Sequence, residues 1–428
     1  MNADAATARA GGSAAATLSP PAGPAGDGSP GLGGTRFRIF SQAPWLTASA
    51  APETIAISTP AGQTLAGPAD ARAYVVDPVH KPRPYDDFYF PPFDGPVFYP
   101  AVPDADGHFD HLPVACREFR AAHMFAAVRF TLDVWEGYYG RRIDWHFAAS
   151  HPRLELVPFV PWNNAQSGAG FIEAGYGVGE SGVPRHYSLS FDVMAHETGH
   201  SIVFAEVGVP PPGVPWTDEY RSFHESASDL IALVTALHLE SVVTRLLAST
   251  RGNLYGYNEL GRIGELSDTE QIRLACNDLK LSDLAGLGDH GRSLPLTGAV
   301  FDFLVETFQS TLVERGLIRA ELAALSFGAP TSPSAWRLIQ GEFDGAFRDH
   351  PSAFREALGH ARDHVARFLV ATWRQLPPGR LDYRMIAAAM LRAESVAGGR
   401  HLGILADCLH WRELVPDDRG ELRPLSRA

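Results

Sequence analysis

The chain has 428 residues, 45% of them hydrophobic, which supports a large core and excludes a wholly disordered chain. Its 36 basic residues against 49 acidic ones, a formal net charge of −13, speak against a nucleic-acid binder, because that affinity rests on Lys and Arg neutralising phosphates. Cys116, Cys276 and Cys408 lie far apart in sequence, which rules out both a CxxC zinc site and a dense disulfide framework.

Residues 1–34, rich in Ala, Gly and Pro, read as a flexible tail. They lack the basic start and the Leu/Val-rich stretch of a signal peptide, and no apolar run long enough for a transmembrane helix follows, so the default expectation is cytoplasmic. Residues 35–100 form a β-rich segment, with TRFRIF, ETIAIS and ARAYVVD as strands. The aromatic, Pro-rich run YDDFYFPPFDGPVFYPAVP wraps a surface. A catalytic N-terminal lobe is expected over 101–205. It opens with one long helix at 115–140, where Phe119, Met124, Ala127, Phe130 and Trp135 recur at helical spacing. HPRLELVPFVPW reads as a strand, and NNAQSGAGFIEAGYGVGESG as a Gly-rich strand region. From Ser190, a helix cap, the pattern turns helical, with Asp192 in its first turn. A second helix is expected over about 222–247. From 295 to about 412 the chain is mainly helical, broken at GAPTSP, HPS, LPPG and AGG, within an α-helical C-terminal lobe at 206–415 and before a tail at 416–428. This β-first, α-later order predicts an α+β protein with a cleft between two lobes.

Within the helix after Ser190 lies His196-Glu197-Thr198-Gly199-His200, an HExxH. Positions i and i+4 share a helix face, so both imidazoles reach one zinc ion, and Glu197 sits where it takes a proton from a zinc-bound water. Chance gives roughly 0.03 such motifs in a chain of this composition, against the bland reading of two surface histidines. Gly199 costs the helix about 1 kcal/mol relative to Ala, so close approach by another backbone is expected there. A hydrolytic zinc needs a third protein ligand and one open position. The spacing HExxHxxGxxH fails, because Val203 and Glu206 stand where Gly and His would be. Glu225 and Asp229, again i and i+4, supply the third ligand and a hydrogen-bond acceptor that fixes the tautomer of His196. A solvated acidic pair is the competing reading, weakened by the apolar helix that follows.

HExxH followed by ExxxD resembles the thermolysin-like zinc peptidases among the gluzincins, and FDVMAHETGH is similar to that family's DVxAHExxH. The likeness covers roughly residues 100–412. It implies a two-lobed fold with a β-rich N-terminal lobe, a mainly α-helical C-terminal lobe and one zinc ion in the cleft. It implies a peptide or protein substrate held by Asn164 and Ala165, from the match of Trp162-Asn163-Asn164-Ala165 to the family's Asn-Asn-Ala edge strand. Arg273 matches the arginine that binds the substrate carbonyl, and His290 the histidine that stabilises the oxyanion. For the family's oxyanion tyrosine, Tyr220 lies in the right stretch, with Trp216 nearer the expected spacing. Structural calcium is not expected, because no acidic cluster follows Asp229 and Asp192 alone makes no such site. His360 and His364, also i and i+4, read as helix-surface residues. The function implied is zinc-dependent peptide-bond hydrolysis. The alternatives are a catalytically silent peptide-binding homologue, or a zinc hydrolase acting on a non-protein amide.

Overall fold

A computed structural model describes residues 33–415, except 47–50, 87, 179–181, 183, 266–270 and 328–332, and the side chains at 263, 265, 272 and 273. The two expected tails lie outside the described residues, apart from positions 33 and 34.

The protein is α+β. Strands β1 (Gly34–Ile39) and β2 (Glu53–Pro60) pair antiparallel, with Phe37 opposite Ile55. Alternation does the work: Phe37, Ile39, Ile55 and Ile57 are buried while their neighbours face outward. After β3 (Ala73–Val75), the aromatic segment before residue 100 contributes only isolated bridges, as its prolines dictate. Helix α1 (Arg117–Tyr139) follows the expected span and ends where Gly140 adopts φ 66°, the left-handed conformation that closes a helix. Seventeen of its 23 residues are buried, so it is a central helix enclosed on most sides.

Strands β4 (Leu154–Val157), β5 (Ala165–Gly168) and β6 (Phe171–Ala174) join β3 in a sheet of order β3-β4-β6-β5. The β3–β4 and β4–β6 pairs are parallel, and β5 runs antiparallel to β6 with Ala165 opposite Ala174. Strand β5 is therefore an edge of this sheet. A small hairpin, β7 (Tyr176–Val178) and β8 (Pro184–His186), leads to α2 (Phe191–Glu206). Ser190 caps α2, its hydroxyl accepting from the Val193 amide, and Asp192 stands in the first turn.

The helix expected over 222–247 is two helices, α3 (Asp218–Ala236) and α4 (Glu240–Thr250), at 90° to each other. No Pro or Gly marks the break. Leu237 and Leu239 both turn into the core, and the His238 ring is hydrogen-bonded to the Tyr138 hydroxyl of α1 at 2.8 Å, so tertiary packing overrides local helix preference. Strands β9 (Arg262–Glu265) and β10 (Gln271–Leu274) form a second antiparallel hairpin.

Helix α5 (Asp289–Glu314) starts six residues before the expected helical region, so that Pro295 lies inside it. The C-terminal part continues with α6 (Ala320–Ser326), α7 (Pro333–Asp349), α8 (Pro351–Trp373), α9 (Tyr383–Val396) and α10 (Leu402–Trp411). The breaks at HPS, LPPG and AGG fall where the sequence places them, and the one at GAPTSP lies largely outside the described residues. Among the described residues no single helix is long and apolar enough to cross a membrane.

Candidate metal centre

Helices α2 and α3 lie against each other at bare backbone. A Cβ built on Gly199 would stand 2.8 Å from Ser228 Cα, inside any normal contact, so only glycine permits this approach. This is the close approach that Gly199 implied. It brings one turn of each helix to one point: His196, His200 and Glu225 offer ligand atoms that all lie within 4.8 Å of one another.

The geometry suits an ion. His196 Nε2 is 3.4 Å from Glu225 Oε2, and His200 Nε2 is 3.7 Å from Glu225 Oε1. Three ligands at ~2.0–2.1 Å from a tetrahedral zinc sit about 3.3 Å apart, close to both separations. Each imidazole is also held from behind. His196 Nδ1 lies 2.8 Å from Asp229 Oδ1, which leaves Nε2 as the ligating nitrogen. His200 Nδ1 lies 2.8 Å from His224 Nδ1 and 3.1 Å from Ser228 Oγ. A contact between two ring nitrogens needs one donor and one acceptor, so His200 donates from Nδ1 and a neutral His224 accepts. Complete burial, with the adjacent His200, pushes His224 well below its ordinary value and keeps it neutral.

Glu225 is mostly buried, and burial alone would raise its carboxyl. Hydrogen bonds with His196 and His290, with the nearby His200, outweigh burial and hold the group ionised far below the usual carboxylate range. His290 stands in the first turn of α5, with Nδ1 2.7 Å from Glu225 Oε2 and its side chain largely exposed. Next to it, Asp289 accepts from Arg221 Nε of α3 at 2.9 Å, which ties the start of α5 to the start of α3.

These residues line a cleft of about 510 Å³. Glu197 is on its wall and only 7% exposed, so a carboxylate stands beside the ligand set in a largely water-excluded place. Asn164 and Ala165 lie on the same wall, at the entrance to edge strand β5. The Asn164 side chain accepts from the Ala165 amide at 2.9 Å. Arg273 lies on β10, and its side chain falls outside the described residues.

Tyr220 is a correction. It is fully buried, donates its hydroxyl to the Gly208 carbonyl at 2.7 Å, and is absent from the cleft wall. It lies in the first turn of α3, packed between the rings of Trp216 and His224. Trp216, the better-spaced alternative, does line the cleft.

Two cleft residues escaped sequence reasoning. His224 sits one position before Glu225, but the periodicity argument picked out only the i and i+4 acids. Tyr187, whose hydroxyl donates to Asn163 Oδ1 at 2.7 Å, had no spacing signal linking it to the motif.

No protein-family model matches this chain, and no curated protein matches it. Among solved structures it is similar to the precursor of protealysin, a metalloproteinase from Serratia proteamaculans, at 12% identity and a TM-score of 0.48, over 83% of this chain and 90% of that chain.

Proposed function

We propose that the protein is a zinc-dependent endopeptidase with the two-lobed thermolysin-like architecture, its lobes being residues 101–205 and 206–415 with the cleft between them. The observation that carries this reading is the meeting of His196, His200 and Glu225 at ligand spacing beside the buried carboxylate of Glu197.

Zinc at the two imidazoles and the Glu225 carboxylate would supply a Lewis acid and an activated water. The chain's own residues do the rest. Glu197 accepts the proton of the attacking water and passes it to the leaving amine. His290, with Nδ1 engaged by Glu225, presents Nε2 to the developing oxyanion. Asn164 and Ala165 offer main-chain pairing at the sheet edge, so an extended peptide is added as a strand, and Arg273 holds a substrate carbonyl.

The test is metal analysis combined with a quenched-peptide or casein assay. Activity should vanish with a chelator and return with zinc. Glu197→Gln should keep its metal and lose about 10²–10⁴-fold in kcat. A variant that cleaves at the wild-type rate would overturn the assignment of Glu197 as base. Product mapping by mass spectrometry would distinguish peptide bonds from other amides.

A further inference from the structure

Far along the chain from the cleft motif, α5, α8 and the turn between α9 and α10 enclose a second cavity of about 390 Å³. In a chain of net charge −13, its wall carries three arginines, Arg315, Arg367 and Arg400, against two carboxylates, Glu314 and Glu394, with His360, His364 and His401 beside them; Arg315 also pairs with Glu356 at 3.0 Å. We propose that this cavity is a binding site for a small, multiply charged oxyanion, of the phosphate-ester or polycarboxylate class.

Four observations carry the proposal. The two carboxylates on the wall are already matched. Glu314 pairs with Arg400, while Glu394 takes His364 Nε2 at 2.9 Å and the His401 amide at 3.0 Å. An entering anion therefore meets Glu314 already neutralised and Glu394 with its oxygens engaged in hydrogen bonds. Second, Arg367 has surplus charge. Its ion-pair partner among the described residues is Asp363, at 4.0 Å, and the other oxygen of Asp363 already accepts from Tyr138 at 2.7 Å and Arg362 at 2.8 Å. Third, Thr307 lies on the wall with its hydroxyl buried and without a hydrogen-bond partner, although the residue is only 2% exposed. A buried hydroxyl is costly to leave unsatisfied, and a turn of the Thr307 side chain towards the cavity would let an anion oxygen satisfy it. Fourth, guanidinium forks match carboxylate and phosphate oxygens two at a time, which suits a ligand with several such oxygens over a single halide.

The test is titration calorimetry on the full chain with glycerol 3-phosphate and with tricarballylate, both weak chelators, at fixed ionic strength. At least one should bind saturably with 1:1 stoichiometry, and the preferred probe identifies the class. The double variant Arg367→Gln/His360→Gln should weaken that binding tenfold or more. Arg355→Gln, a surface arginine paired with Glu240 outside the cavity, should leave it unchanged. Thr307→Val, nearly isosteric, should raise the Tm of the free protein and reduce the rise that the probe induces. The proposal is overturned by no saturable binding of either probe up to about 10 mM. It is equally overturned by equal affinity in the wild type and the double variant, or by a Thr307→Val protein whose ligand-induced Tm rise matches the wild type.

Discussion

His196, His200 and Glu225 make up the candidate metal centre, and a ligand and its supporting residue are predicted to fail in different ways. Glu225→Ala removes one ligand and leaves two imidazoles, so zinc measured by atomic absorption should fall far below one equivalent after dialysis. Full occupancy would place the third ligand elsewhere. His224→Phe keeps the bulk of the ring but removes the acceptor behind His200. Orienting partners of ligating histidines are worth about 10–100-fold in metal affinity, and a loss of that size is expected in competition with a chromogenic chelator. At this scale the sequence was informative wherever a helix put residues at i and i+4. HExxH and the pair Glu225/Asp229 were legible because one turn of helix is a fixed rule. His224 was not, because the i and i+4 rule picked out only the acids beside it, and Tyr187 was not, because it meets the site from a separate element; Tyr220 was misplaced because only the packed structure shows which way the first turn of α3 faces.

Between elements, the contact of α2 with α3 sets the centre. Gly199→Ala adds a methyl that would gain about 1 kcal/mol in helix propensity. The same methyl would stand 2.8 Å from the Ser228 backbone, and overpacking of that kind costs about 1–3 kcal/mol. The clash should win: a lower Tm is expected, together with weaker zinc retention, because the helices carrying the ligands are pushed apart. A more stable Gly199→Ala protein with unchanged metal affinity would refute this. The strands at TRFRIF, ETIAIS and LELV and the long helix near 117–139 were readable from periodicity. The division of the 222–247 helix was not, since its cause is the burial of Leu237 and Leu239 and the hydrogen bond of His238 with Tyr138 in a helix about 100 residues away.

On the scale of the whole molecule, the segment that joins β2 to β3 is fastened to α1 by a buried ionic junction. Asp70, almost fully buried, accepts from Arg129 Nε of α1 at 2.7 Å, from the Thr59 hydroxyl at 2.7 Å and from the Arg72 amide at 2.7 Å. Burial would raise its carboxyl, but the charge of Arg129 and these hydrogen bonds hold it below the ordinary value of 3.8. A carboxyl lowered in the folded state stabilises the fold fully above its unfolded value, and that contribution is lost as pH falls through the folded value. The acid limb of the stability curve should open below about pH 6.5, where His123, His146 and His186, held down to about 4 by burial, would charge in the unfolded chain, and the Asp70 contribution should be lost below about pH 4. Asp70→Asn should flatten that limb below about pH 4 and cost about 3 kcal/mol at neutral pH, the low end for a broken buried pair, because Asp133 remains 3.2 Å from Arg129. Urea unfolding at a series of pH values measures both effects. An acid limb as steep as the wild type's would remove Asp70 from this role.

The glycine contact between α2 and α3 also acts as a gauge. Skeleton resting on skeleton lets the two helices come nearer than any side chain between them would allow. The close spacing of the three donors thus rests on two rods in direct contact. Calcium, whose oxygen bonds run to ~2.3–2.6 Å and which takes six to eight partners, would need those rods prised apart. A four-coordinate ion with bonds near 2.0–2.1 Å would not. A preference for the smaller ion is thus the expected outcome, and it would trace to a residue that has no side chain at all.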